Sequence, residues 1–105
     1  MHAVLITFTS SAPLGALHAP FSDYAQALTT IPGLIMKTWI NDGTTIGGFH
    51  IFETRDAADG YLGSDLIATV LDNPVFSEFA VRHFDTIDDF SAVNGSPTGA
   101  RAVGG

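Results

Sequence analysis

The sequence predicts an α+β fold of order β-α-β-β-α-β, the split βαβ or ferredoxin-like arrangement. In it a four-stranded antiparallel sheet carries both helices on one side. Three observations carry that expectation. Runs rich in β-branched and aromatic residues recur at Ala3-Val4-Leu5-Ile6-Thr7-Phe8, Leu34 to Ile40, Gly47 to Glu53 and about Phe76 to Thr86. An apolar repeat in steps of three and four fills the gap after the first run. A second helical pattern fills the gap before the last.

Each element has its local reason. Ser10-Ser11-Ala12-Pro13 breaks the first strand, and Leu14, Leu17, Phe21, Tyr24, Leu28 and Ile31 then mark an amphipathic helix. Pro20 predicts a kink, or a helix that begins near it after a short turn. Pro32-Gly33 ends that element and opens a β-hairpin with Asn41-Asp42-Gly43 at its turn. Thr54 is placed as an N-cap, with Asp56 and Asp59 favouring the helix dipole. Gly60 and Gly63 weaken this helix, Ser64-Asp65 recaps a second piece, and Asn73-Pro74 stops it. From Ser91 the composition turns to Gly, Ser, Pro and Ala, so the expected organisation is one domain, 1–90, and a flexible tail, 91–105.

Composition narrows the function. Eleven acidic residues against four basic ones give a net charge of −7. Lys37, Arg55, Arg82 and Arg101 are scattered, which argues against nucleic acid and against anionic membranes. The absence of cysteine excludes disulfides, thiolate catalysis and Cys-ligated metals. No apolar run approaches the ~20 residues of a membrane span, and no basic leader precedes the first strand, so a cytoplasmic protein is expected. Hydrophobic residues make up 46% of the chain and charged residues only 14%. The strands look apolar on both faces: Val4, Ile6 and Phe8 against Leu5; Leu34, Met36 and Ile40 against Ile35 and Trp39; Phe49 and Ile51 against Phe52. A sheet face left open in that state predicts a homodimer that buries it.

The hairpin carries the chemistry. Lys37 and Trp39 alternate onto one face of its first strand, and His50 and Phe52 share a face of its second. An apolar sheet that still displays Lys, Trp and His predicts a lined pocket for a neutral, apolar small molecule. Tyr24 and Tyr61, on the helices, read first as core packing, with hydroxyls that can tip into it as the alternative. On the last strand either Arg82 or His83 points inward, and alternation does not say which. His2 and His18 read as peripheral. No carboxylate stands at metal-ligand spacing from His50 or His83, so no metal is expected.

Several segments in order resemble the YdhR family, described as mono-oxygenases, of the dimeric α+β barrel superfamily. They are Ser11-Ala12-Pro13-Leu14-Gly15, Pro32-Gly33-Leu34 followed by Lys37 and Trp39, Gly47-Gly48-Phe49-His50-Ile51-Phe52, Ala57-Ala58-Asp59-Gly60-Tyr61-Leu62, and Arg82-His83-Phe84-Asp85. The resemblance spans roughly residues 3 to 95. It implies a ferredoxin-like dimer, a barrel of two sheets, and a cavity between sheet and helices or between sheets. Related small barrels oxidise aromatic polyketides with dioxygen and neither metal nor flavin, so no cofactor is implied. His50 departs from the Tyr of relatives, and its own chemistry makes it the candidate proton acceptor, with a packed strand histidine as the alternative. Lys37 and Trp39 hold the developing oxyanion, and Tyr24, Tyr61, Phe52, His83 and Arg82 contact the substrate. The same apparatus serves a cofactor-free cyclase or isomerase, which needs the enolate but not dioxygen. A ligand-binding module without turnover is the third reading.

Overall fold

The computed structural model describes residues 1–87 and shows the expected order with one element more: β1 (His2–Ser10), α1 (His18–Leu28), β2 (Leu34–Asn41), β3 (Thr45–Phe52), α2 (Arg55–Leu62), α3 (Asp65–Leu71) and β4 (Phe76–Asp85). The tail expected at 91–105 lies outside the described residues. The four strands form one antiparallel sheet in the order β2-β3-β1-β4. This is the ferredoxin-like α+β fold.

The helices follow their local signals. Before α1 a single 3₁₀ turn covers Leu14–Leu17. Pro20 then falls in the first turn of α1, where a missing N–H breaks no helical bond, so a helix beginning near Pro20 is the outcome. Ile31 lies past the helix end. Thr54 caps α2, its hydroxyl accepting from the Ala57 N–H at 3.1 Å. Ser64 caps α3 the same way through Ile67. The predicted second helix is therefore two, each with a cap of its own.

Register fixes which side chains share a face. Rows across the sheet run Leu34–Phe52–His2–Asp85, Lys37–His50–Val4–His83 and Trp39–Gly48–Ile6–Val81. Val4, Ile6 and Phe52 of these rows pack with Tyr24 and Leu28 of α1, Ala58 and Tyr61 of α2, and Ile67 of α3. These rows therefore face the helices. The alternate rows, Met36–Ile51–Ala3–Phe84 and Thr38–Phe49–Leu5–Arg82, face away from them. A register shift between Leu34 and Met36 turns Leu34 onto the helix side, where it packs on the core. The sequence pattern alone assigns it to the face of Met36 and Ile40. A second cluster, Phe8, Leu17, Ile46 and Phe76, closes the other end of the core. There β4 is bulged near Glu78, whose φ is +57°, so Phe76 and Phe79 both reach Phe8.

Candidate functional site

The hairpin and two helices build a cavity between the sheet and the helical layer. Edge strand β2 supplies Lys37 and Trp39, β3 supplies Gly48 and His50, α1 supplies Phe21 and Tyr24, and α2 supplies Tyr61. Gly48 makes room for it. A Cβ there would stand 2.5 Å from Lys37 Cε and 2.9 Å from His50 Cε1. Its neighbour Gly47 serves the backbone instead, because a Cβ at that position would meet the Ile6 carbonyl at 1.9 Å.

His50 is 1% exposed and has a defined tautomer. Its Nδ1 lies 3.1 Å from the Val4 carbonyl, which accepts, so Nδ1 carries the proton. The Nε2 lone pair is then free, and Nε2 is buried without a hydrogen-bond partner among the described residues. Burial, followed by the nearby Lys37 charge, lowers the imidazole pKa to about 4, against the pull of the Val4 and Gly48 carbonyls. The ring is neutral at pH 7 and presents a base to the cavity.

Lys37 is partly buried, with Nζ 3.4 Å from the centre of the Trp39 ring and 4.9 Å from that of Tyr24. Burial lowers its pKa to about 7. The aromatic faces favour the ammonium form, but no carboxylate among the described residues pairs with it. The buried hydroxyls of Tyr24 and Tyr61 meet at 2.5 Å. Burial raises both pKa values, and the Tyr24 hydroxyl pushes that of Tyr61 further up. Two hydroxyls joined by one hydrogen bond leave one O–H free to donate.

The space here for water-sized bodies is about 30 Å³, room for about one water. Beside it runs a groove of about 600 Å³ between the start of α1 and the ends of β2 and β3. Phe21 and Trp39 line both spaces, and their ring centroids are 4.8 Å apart. These two rings form the wall between groove and cavity. Trp39, 36% exposed, is the more open of the two rings.

The structure thus brings together His50, Lys37, Trp39, Tyr24 and Tyr61. Phe52 lies behind them, fully buried, with its ring 6.1 Å from His50 and 5.7 Å from Tyr61. It braces the site from the core. The other two candidates go elsewhere. Arg82 is exposed on the face turned away from the helices. His83 does face the helix side, but Val4 stands between it and His50, and its Nδ1 bonds His2 Nε2 at 2.7 Å. His2, expected at the periphery, is 3% exposed. The residue that sequence reasoning missed is Phe21, whose place in the helical repeat signals core and not the wall of a pocket. Among the described residues no group of His, Asp or Glu is arranged to hold a metal ion, and no helix is long and apolar enough to cross a membrane.

Comparison with solved structures agrees with this architecture. SnoaB, a cofactor-independent oxygenase from Streptomyces nogalater, matches with a TM-score of 0.67 at 13% identity, over 81% of this chain and 91% of that one. The monooxygenase ActVA-Orf6 of Streptomyces coelicolor, in complex with nanaomycin D, matches with a TM-score of 0.60 at 14% identity, over 81% and 86%. A mutant of MhuD, with two manganese protoporphyrin IX bound per active site, matches at 0.65 and 17% identity, over 83% and 95%. At such identities the likeness is one of fold, and these neighbours differ in what they bind. No curated protein matches the sequence significantly. A family model described as "Putative mono-oxygenase ydhR" matches residues 4–97, and the chain belongs to that family.

Proposed function

We propose that this protein is a cofactor-independent mono-oxygenase for an apolar phenol or 1,3-dicarbonyl of the aromatic polyketide kind. One observation carries the reading. The free Nε2 lone pair of His50 is buried in an apolar cavity beside the amine of Lys37. Family membership and the oxygenases among the structural neighbours support it.

A substrate hydroxyl or acidic C–H gives its proton to Nε2. The resulting oxyanion is held by the Lys37 ammonium, the Trp39 indole N–H and the free hydroxyl of the tyrosine pair. Burial and, after it, the Lys37 charge keep His50 from protonating, and the oxyanion neutralises that charge, which makes proton transfer easier once substrate is bound. The electron-rich anion then reacts with dioxygen. Dioxygen adds at the carbanion carbon to give a hydroperoxide, which loses water as its remaining C–H proton leaves and the O–O bond breaks, so the carbon becomes a carbonyl and the substrate itself supplies all the electrons.

The homodimer belongs to this proposal. The sheet face turned from the helices shows Leu5, Met36, Phe49 and Phe84, and a second copy of the chain covers it face to face. Light scattering on the full chain reads the mass directly, and a monomer at micromolar concentration would contradict the arrangement.

Oxygen uptake with an oxidisable polycyclic phenol, in chelator-treated buffer, tests the chemistry. Uptake that is lost in His50→Gln supports the oxygenase. Turnover that continues without oxygen replaces it with the cyclase or isomerase. Binding without turnover in either condition leaves a ligand-binding module.

A further inference from the structure

Lys37 has features that oxyanion binding does not require. It is the single lysine of the chain. Lysines ordinarily project into water as solvated charges. This one is drawn in from an edge strand onto the face of Trp39, into an apolar cavity where no carboxylate of the described residues meets it. Its Cε and the His50 ring approach the same point above Gly48, so the amine and the free Nε2 lone pair share one small space. A free hydroxyl of the Tyr24–Tyr61 pair lies in the same cavity. An amine kept among apolar groups, a neutral imidazole and a hydroxyl donor are the parts that carbonyl capture needs.

We propose that Lys37 is a nucleophilic amine that captures apolar aldehydes and ketones as an imine. The unprotonated nitrogen attacks the carbonyl carbon, a C–N bond forms, and the C=O π pair moves to oxygen, with the free tyrosine hydroxyl hydrogen-bonded to it. The nitrogen loses a proton through His50 Nε2, and that proton reaches the oxygen to give a carbinolamine. The nitrogen lone pair then expels the hydroxyl, which leaves as water with a second proton, taken from solvent and returned to it in the last step. Loss of the remaining N–H proton through His50 gives the neutral imine. Carbonyl and amine go to imine and water, and nothing is oxidised or reduced. The low pKa of the amine, about 7, keeps much of it unprotonated at neutral pH.

The test is reductive trapping of the full chain under nitrogen, with benzaldehyde as the carbonyl and cyanoborohydride as the reductant. Oxygen is excluded, so a negative result here leaves the oxygenase reading standing. The expected result is a single benzyl group on the Lys37 peptide at pH 7. It should form at least about tenfold faster than on N-acetyl-lysine, whose amine is almost wholly protonated there. The rate should be half-maximal near pH 7 and should fall to that of free lysine in denaturant. In Lys37→Arg only the N-terminal amine should be labelled, and in His50→Gln the Lys37 label should form more slowly. Label confined to the N-terminus of the unmodified chain, or Lys37 labelled no faster than N-acetyl-lysine, overturns the proposal.

Discussion

Two imidazoles lie buried on the helix side of one sheet, and they differ in what their second nitrogen meets. His2 Nε2 is engaged by His83 Nδ1 at 2.7 Å, and its Nδ1 lies 3.4 Å from Asp85 Oδ1. His50 spends Nδ1 on the Val4 carbonyl and turns Nε2 toward a cavity that also holds an amine. Burial is nearly the same, 3% against 1% exposed. Each ring keeps one buried nitrogen without a hydrogen bond among the described residues, His2 Nδ1 and His50 Nε2, and the difference is what that nitrogen faces: the exposed Asp85 carboxylate in one case, the cavity in the other. A ring whose open nitrogen looks at an exposed carboxylate closes the end of a sheet, whereas a ring whose open nitrogen looks into a cavity presents a base there in a set direction. Burial alone does not mark a reactive residue.

The largest test of that contrast is activity. His50→Gln should lower oxygen uptake by about 10²–10⁴-fold, the usual range for a lost general base. His83→Gln should leave it near that of the unmodified chain. Equal losses in the two variants would remove the distinction.

Acid stability comes next. The unfolded His50 ring takes a proton near its ordinary value of 6.5, whereas the folded ring resists protonation until about 4. Between those values the unfolded chain binds more protons, so stability falls as pH drops through that window and the loss is complete below it. The full effect is up to about 3 kcal/mol. Urea midpoints from pH 7 to 4 should show a slope that His50→Gln lacks.

Lys37 sharpens the contrast from the other side. Its amine loses its proton at about 7 when folded and near 10.5 when unfolded. Over that interval the unfolded chain holds more protons, so stability rises with pH, by roughly 3 kcal/mol once the aromatic contacts are allowed for. Lys37→Met should abolish the rise. It should also shift the His50 titration upward, toward its ordinary value, because a repelling charge is gone; the imidazole proton resonances report this.

The smallest effect belongs to the other pair. His83→Ala should lower stability by about 1 kcal/mol, the worth of one hydrogen bond, and leave the titration of His50 unmoved. A thermal melt reads the first and the imidazole resonances the second.

Much of the architecture was legible in the sequence because it is local. Alternation placed Lys37 with Trp39 and His50 with Phe52, and Thr54 and Ser64 announced their helices by hydroxyl and spacing. What escaped the pattern depends on distance or on a broken period. The Tyr24–Tyr61 bond joins residues 37 apart in sequence, and nothing local to either one reports it. The register shift before Met36 reverses the face of Leu34, which strict alternation misassigns. His2 looked peripheral because it stands next to the chain end, yet pairing with both β3 and β4 covers it. Arg82 and His83 were separated only once β4 had a register.

The bulge at Glu78 has a consequence for how copies meet. Strand β4 is an outer strand of the sheet, and a straight outer strand offers its free N–H and C=O groups as a template for further strands. The left-handed residue bends that template and breaks its spacing. Growth strand by strand into a fibril is therefore discouraged along that rim.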